Sequence, residues 1–298
     1  MAPAQKPSAA SSGRAYSAFL LVALCFVLAV AAILLWAMRR PSDPASARVR
    51  ALLREARGLK HRTVFNPGRP LDYIAKDLAA LGSPAVPALA EALRRESDYH
   101  ARYAATDALG RIGDANALPA LRLALRSERN ETLCCIAARS MGQIASPSAV
   151  PALLAAIKDG RKWVRMMAAG ALGEIGDPAA VAVLGAALGD GEAEVRRFAA
   201  GALGKIRDAR SVEPLVAALR DGDLGVRYFA AGSLGAIGDA RALPALRAAL
   251  QDADKDVRSA AGAAIARLEA RAASRPAGAG ADGGGQQPDP HASSSSRQ

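Results

Sequence analysis

Residues 172–177 read Leu-Gly-Glu-Ile-Gly-Asp, and this phrase decides the fold because it returns at a fixed step. It reads LGRIGD at 109–114, MGQIAS at 141–146, LGKIRD at 203–208 and LGAIGD at 234–239, with a worn copy, IARLEA, at 265–270. The lead positions are separated by 32, 31, 31, 31 and 31 residues. A regular period of this size marks a stack of small units, each resting on its neighbours. Such stacks offer a long surface to something else and seldom carry a reaction centre themselves.

Around the phrase, each unit has two apolar stretches parted by a short polar break. The first resembles AVPALLAAIKD (149–159), where Val150, Leu153, Leu154 and Ile157 fall at helical spacing. Pro87, Pro119, Pro151, Pro214 and Pro244 sit near the start of this helix, where a missing amide costs nothing. The second stretch resembles VRRFAAGALGKI (195–206), with Val195, Ala199, Ala202, Leu203 and Ile206 on one face. Breaks such as DGEAEV (190–195), DGDLGV (221–226) and ERNETL (128–133) supply Asp and Asn as N-caps. The closing Gly-Asp suits a helix end followed by a new start. The abundant Ala and Gly of the second helix allow close helix approach. Nothing between 71 and 270 alternates with period two, so an all-α fold is expected.

The AVPAL-type first helix, the V-R-x-x-A-A second helix and the LGxIGD ending together resemble the short HEAT-like repeats of phycobilin lyases and many bacterial helical-repeat proteins. The resemblance covers residues 85–270 in six units and implies a right-handed α-solenoid. In that family the V-R arginine takes part in a ladder between repeats. Arg102, Arg165, Arg196, Arg227 and Arg258 hold the position here, and Cys134 replaces it in the second unit. The closing Asp114, Asp177, Asp208 and Asp239 are the expected partners, because an interface arginine wants a carboxylate. The second unit has Cys134 for Arg and Ser146 for Asp, which predicts a weaker seam there.

Ahead of the repeats, residues 18–38 (AFLLVALCFVLAVAAILLWAM) carry no charge. A helix of that length spans roughly 31 Å, close to the hydrocarbon thickness of a bilayer. A retained single membrane span is therefore expected after a tail at 1–17, with a cleaved signal peptide as the alternative. Lys6 and Arg14 precede it; Arg39, Arg40, Arg48, Arg50, Arg54 and Arg57 follow it. That bias places the repeats in the cytoplasm, with the periplasmic orientation as the alternative.

The net charge of +11 sits mostly beside this segment. Residues 39–69 hold nine Lys/Arg against Asp43 and Glu55, whereas residues 85–270 hold 24 against 22 Asp/Glu. The linker 39–70 includes an amphipathic helix, RVRALLREARGLK (48–60), with Val49, Leu52, Leu53, Ala56 and Leu59 on one face. Arg39, Arg40, Arg50, Arg54, Arg57 and Lys60 are candidates for contact with anionic lipid, the other reading being a capping helix. Near-neutral repeats and 4% aromatic residues argue against nucleic acid. Residues 71–84 (LDYIAKDLAALGSP) read as an irregular capping half-unit, and the Gly/Pro/Ser-rich 271–298 as a disordered tail.

No catalytic, metal or cofactor residues are assigned. His61, His100 and His291 form no pair at ligand spacing, and Cys134 and Cys135 read as small packing side chains. Gly278, Gly280 and Gly283 match a dinucleotide fingerprint without the strand it requires. The expected function is protein binding by a membrane-anchored scaffold, with the phycobilin-lyase activity implied by the resemblance as the alternative. Second helices line the concave face of such stacks, so Tyr103, Arg139, Met166, Arg197 and Tyr228 are the candidate partner-binding residues.

Overall fold

A computed structural model describes residues 43–58, 71–126 and 130–274. The chain divides into two compact units, Met1–Ala51 and Leu52–Gln298, and every repeat lies in the second. The described residues form fourteen α-helices and no strand. Helices α1 (Pro44–Gly58) and α2 (Leu71–Ala79) precede six pairs. The pairs are α3 (Val86–Arg95) with α4 (Tyr99–Ile112), α5 (Leu118–Leu125) with α6 (Glu131–Ile144), and α7 (Val150–Ala156) with α8 (Lys162–Ile175). They continue as α9 (Val181–Ala187) with α10 (Ala193–Ile206), α11 (Val212–Ala218) with α12 (Leu224–Ile237), and α13 (Leu243–Ala249) with α14 (Lys255–Ala273). Residues 1–17 and the apolar stretch 18–38 lie outside the described residues. No described helix is long and apolar enough to cross a membrane.

The repeated phrase is explained position by position. Its leucine is core: Leu109, Leu172, Leu203 and Leu234 are wholly buried. Its first glycine faces the next second helix. A Cβ on Gly173 would stand 2.7 Å from Cα of Ala202, and one on Gly142 or Gly235 would stand 2.8 Å from Cα of Ala171 or Ala264. Only glycine permits this approach, so consecutive second helices interlock closely while consecutive first helices touch sparsely. The second glycine ends the helix in the left-handed region, at φ 75° for Gly113, 74° for Gly176 and 80° for Gly238. Ala145 and Arg207 hold the same conformation without being glycine.

The closing aspartate does a different job from the one expected. Asp114, Asp177, Asp208 and Asp239 each accept the backbone N–H two residues on and so cap a one-turn 3₁₀ segment before the next first helix. Asp208 and Asp239 also pair with the Arg210 and Arg241 of their own turns. None of the four pairs with a V-R arginine.

The ladder uses the aspartate that ends the next first helix. Arg165 donates Nε and Nη2 to Asp190 at 2.7 and 2.9 Å, Arg196 does the same to Asp221, and Arg227 to Asp252 at 2.7 and 3.0 Å. The remaining Nη1 of each arginine donates to backbone carbonyls of its own interhelix turn, as Arg196 does to Asp190 O at 2.8 Å. The guanidinium thus clamps two successive turns. Arg258, in the last unit, keeps the carbonyl contacts, to Asp252 O and Ala253 O, and forms no ion pair among the described residues. Arg102 Nε has no hydrogen-bond partner among the described residues.

In the second unit the position of the ladder arginine is met differently. Asp159 stands where Asp190, Asp221 and Asp252 stand, at the same 31-residue step. Its carboxylate takes two bonds from Arg161, both at 2.8 Å, while Arg161 Nη1 points at Cys134 Sγ at 3.7 Å. An arginine from the far side of the seam therefore occupies the space that the missing one leaves.

At the amino-terminal end, α2 packs on α4 in the place of a preceding second helix. Helix α1 buries Val49, Leu52, Leu53 and Ala56 at 4% exposure or less. Arg50, Arg54 and Arg57 remain exposed, and Arg57 pairs with Glu96. Arg39, Arg40 and Lys60 lie outside the described residues.

Candidate functional site

A groove of about 700 Å³ crosses four second helices, α8, α10, α12 and α14, and its lining among the described residues comes from those helices and the turns ending them. Gly173, Gly201, Gly204 and Gly232 make its floor. The glycines that let the helices interlock thus also strip the face of side chains. Tyr228 and Phe229 stand in it, rings edge to face at 5.6 Å, each 44% exposed.

A second register of side chains explains why the groove opens where it does. Phe198 lies over Gly170, and Phe229 over Gly201, with ring carbons 3.1 and 3.7 Å from where a glycine Cβ would be. In the last unit Ala260 holds the phenylalanine position, and the matching Gly232 has nothing within 4 Å. The aromatic cover stops one unit short and leaves an apolar notch beside Tyr228 and Phe229.

Charge in the groove is lopsided. Among the described residues, the lining groups that bear charge at neutral pH are Glu174, Lys205, Arg207 and Arg267. Glu174 is engaged by Lys205 in an exposed pair. Arg207 and Arg267 form no ion pair among the described residues.

Towards the amino terminus the same face is filled. Asp107 replaces a floor glycine, is buried at 2% exposure, and accepts from Arg111 at 2.7 Å and from Arg139 at 2.6 Å. Arg111 also reaches Asp72.

The sequence pattern of HEAT repeats matches residues 72–134, 123–200 and 181–266. The chain belongs to the HEAT-repeat family. No curated protein is detectably similar to it in sequence. Solved structures that resemble it include a designed armadillo repeat protein in complex with the peptide (KR)4, at 21% identity, 61% of this chain, 99% of that one and a TM-score of 0.49. The CpcE–CpcF complex of phycocyanin lyase from Nostoc sp. PCC7120 is 28% identical over 51% of this chain and 99% of that one, at a TM-score of 0.44. Human deoxyhypusine hydroxylase with glycerol is 21% identical over 76% and 97%, at a TM-score of 0.33.

Across these HEAT repeats, only Tyr228 of the five expected contact residues lines the groove. Met166 is buried, at 7% exposure. Arg197 is bound to Asp223 of the following repeat by two bonds of 2.8 and 2.9 Å, a second clamp beside the ladder. Arg139 is committed to Asp107. Tyr103 is half-buried and meets Tyr99 edge-on at 6.1 Å, away from the groove. Phe229, Arg207 and Arg267 were not picked out from sequence. A 31-residue alignment of the repeats carries the signal for two of them: Phe198 and Phe229 share one register, and Arg207 breaks a run of glycines.

The described residues hold no group of His, Cys, Asp and Glu able to bind a metal ion. Burial pushes the Cys135 thiol up to about 11, so it stays protonated at neutral pH.

Proposed function

We propose that this chain is a membrane-tethered scaffold whose HEAT repeats dock a protein segment in the groove across α8–α14. The carrying observation is the exposed Tyr228–Phe229 pair standing over a bare glycine floor. Tyrosine and phenylalanine in a depression supply large apolar area at small entropic cost. A floor without side chains lets a backbone lie flat on it. Residues 18–38 are the tether in this reading, and the arginines following them keep the repeats on the cytoplasmic side.

Site-specific photo-crosslinking tests the docking. A photoreactive phenylalanine analogue replaces Tyr228 in one variant and the exposed Leu123 of α5 in another. The expected result is a discrete adduct from position 228 alone. Equal yields from both positions would move the surface elsewhere. Protease accessibility in intact cells and in inverted vesicles checks the tether and its orientation.

A further inference from the structure

Resting on the docking reading, we infer that the occupant of the groove is an acidic, extended segment of a partner protein, carrying at least one leucine or aromatic side chain. Three cations and one carboxylate line the groove. The carboxylate, Glu174, is already met by Lys205. Arg207 and Arg267 are exposed and form no ion pair among the described residues. Along the same second helices and turns, Arg165, Arg196, Arg197 and Arg227 each meet a carboxylate of the following repeat. Two unmatched guanidinium groups on one small surface call for carboxylates from outside the chain.

Arg207 adds a separate argument. It ends α10 at φ 57°, where Gly113, Gly176 and Gly238 end the equivalent helices. A side chain in that conformation is strained, and glycine would relieve it. The strain places a cation at the groove margin.

The apolar requirement comes from the notch. Gly232 is uncovered because Ala260 replaces the expected phenylalanine. A leucine or aromatic ring from the partner can take the place that Phe198 and Phe229 fill over their glycines, with Tyr228 and Phe229 beside it. Four helices at roughly 8–10 Å spacing span about 25–30 Å, which matches about eight residues of extended chain.

An array of decapeptides binned by net charge and apolar content, probed with the full-length chain in detergent, tests this. Signal is expected to rise with negative charge and with a leucine or aromatic residue. The charge dependence should fall by roughly ten-fold in Arg207→Glu/Arg267→Glu, and Tyr228→Ala/Phe229→Ala should lose the apolar dependence. Arg207→Gly guards against misfolding: it should raise the melting temperature yet weaken acidic peptides.

Signal rising with positive charge, no signal at all, or a charge dependence untouched by the arginine variants would overturn the proposal. So would tight binding of phosphatidylserine vesicles, or concentration-dependent dimers, that vanish in those variants while peptides go unbound. A crosslink at position 228 to a basic segment would sink the acidic assignment and leave the docking reading standing. Absence of any crosslink would sink both.

Discussion

Two seams of this stack are fastened with different parts. Between α8 and α10 an arginine on the earlier second helix, Arg165, reaches forward to Asp190. Between α6 and α8 the earlier helix offers Cys134, and Arg161 reaches Asp159 from two residues downstream. The fixed element is therefore the aspartate at the end of the first helix. Its Oδ1 also accepts the N–H two residues on in both seams, from Arg161 at 2.8 Å and from Glu192 at 2.9 Å. The guanidinium can arrive from either side. Where the signature arginine is lost, the turn supplies another that keeps the aspartate paired and reaches back to Cys134 Sγ at 3.7 Å.

Both seams share the apolar interlock, and breaking it should give the largest effect. Gly142→Ala and Gly173→Ala each drive a methyl to within 2.9 Å of a facing alanine, so each should cost about 2–3 kcal/mol in chemical denaturation. Equal losses would show that the two seams differ only in their polar fastening. A much smaller loss at Gly142 would show that this seam is looser than its neighbour.

The polar clamp comes next. The Arg196–Asp221 side chains are 18% and 12% exposed, so removing one leaves a half-buried charge without its partner. Asp221→Ala should cost about 1–3 kcal/mol, measured the same way. Acid sensitivity follows from the same contact. Arg165 and Arg227 hold the Asp190 and Asp252 carboxyls below the ordinary range. At Asp221 burial pushes upward, but Arg196 and the Asp223 amide outweigh it and the net direction is down. A depressed carboxyl contributes its stability in full above the unfolded value of about 3.9 and loses it as pH falls through the lower folded value. The chain should therefore hold its helicity until below about pH 4 in circular dichroism. In Arg196→Gln the burial effect on Asp221 dominates, and the acid transition should move upward.

The smallest effect should be a gain. Gly232 is helical and faces open space, so Gly232→Ala should stabilise by about 0.5–1 kcal/mol, while the same change at Gly173 destabilises. Thermal melts of the two variants side by side would read the opposite signs.

How far the sequence carries depends on how local the cause is. The paired helices, the proline starts and the glycine ends each follow from residues within one turn of each other, and all were legible. So was the use of small residues for close approach. The ladder partner was not, because Arg165 and Asp190 meet across 25 residues. Asp190 opens a turn and so looks like a cap, whereas Asp177 follows a helix end and looks unoccupied. In the fold Asp177 is the cap, while Asp190 both accepts the Glu192 N–H and pairs with Arg165. Helical rotation places Met166 and Arg197 outward, but in the stack Met166 is buried and Arg197 is bound to Asp223. Tyr228 escaped both fates because its register holds only Ser259 in the next repeat.

The decisive measurement is a thermodynamic cycle on the exceptional seam, with Cys134→Arg and Arg161→Ala made singly and together. Arg161→Ala should destabilise by about 1–2 kcal/mol in the natural background and by almost nothing when Cys134→Arg is present, since the aspartate then regains a partner from the other side. Additive losses in the double variant would mean that Asp159 is not the shared acceptor, and the account of the aspartate as the fixed element of the ladder would fail with it.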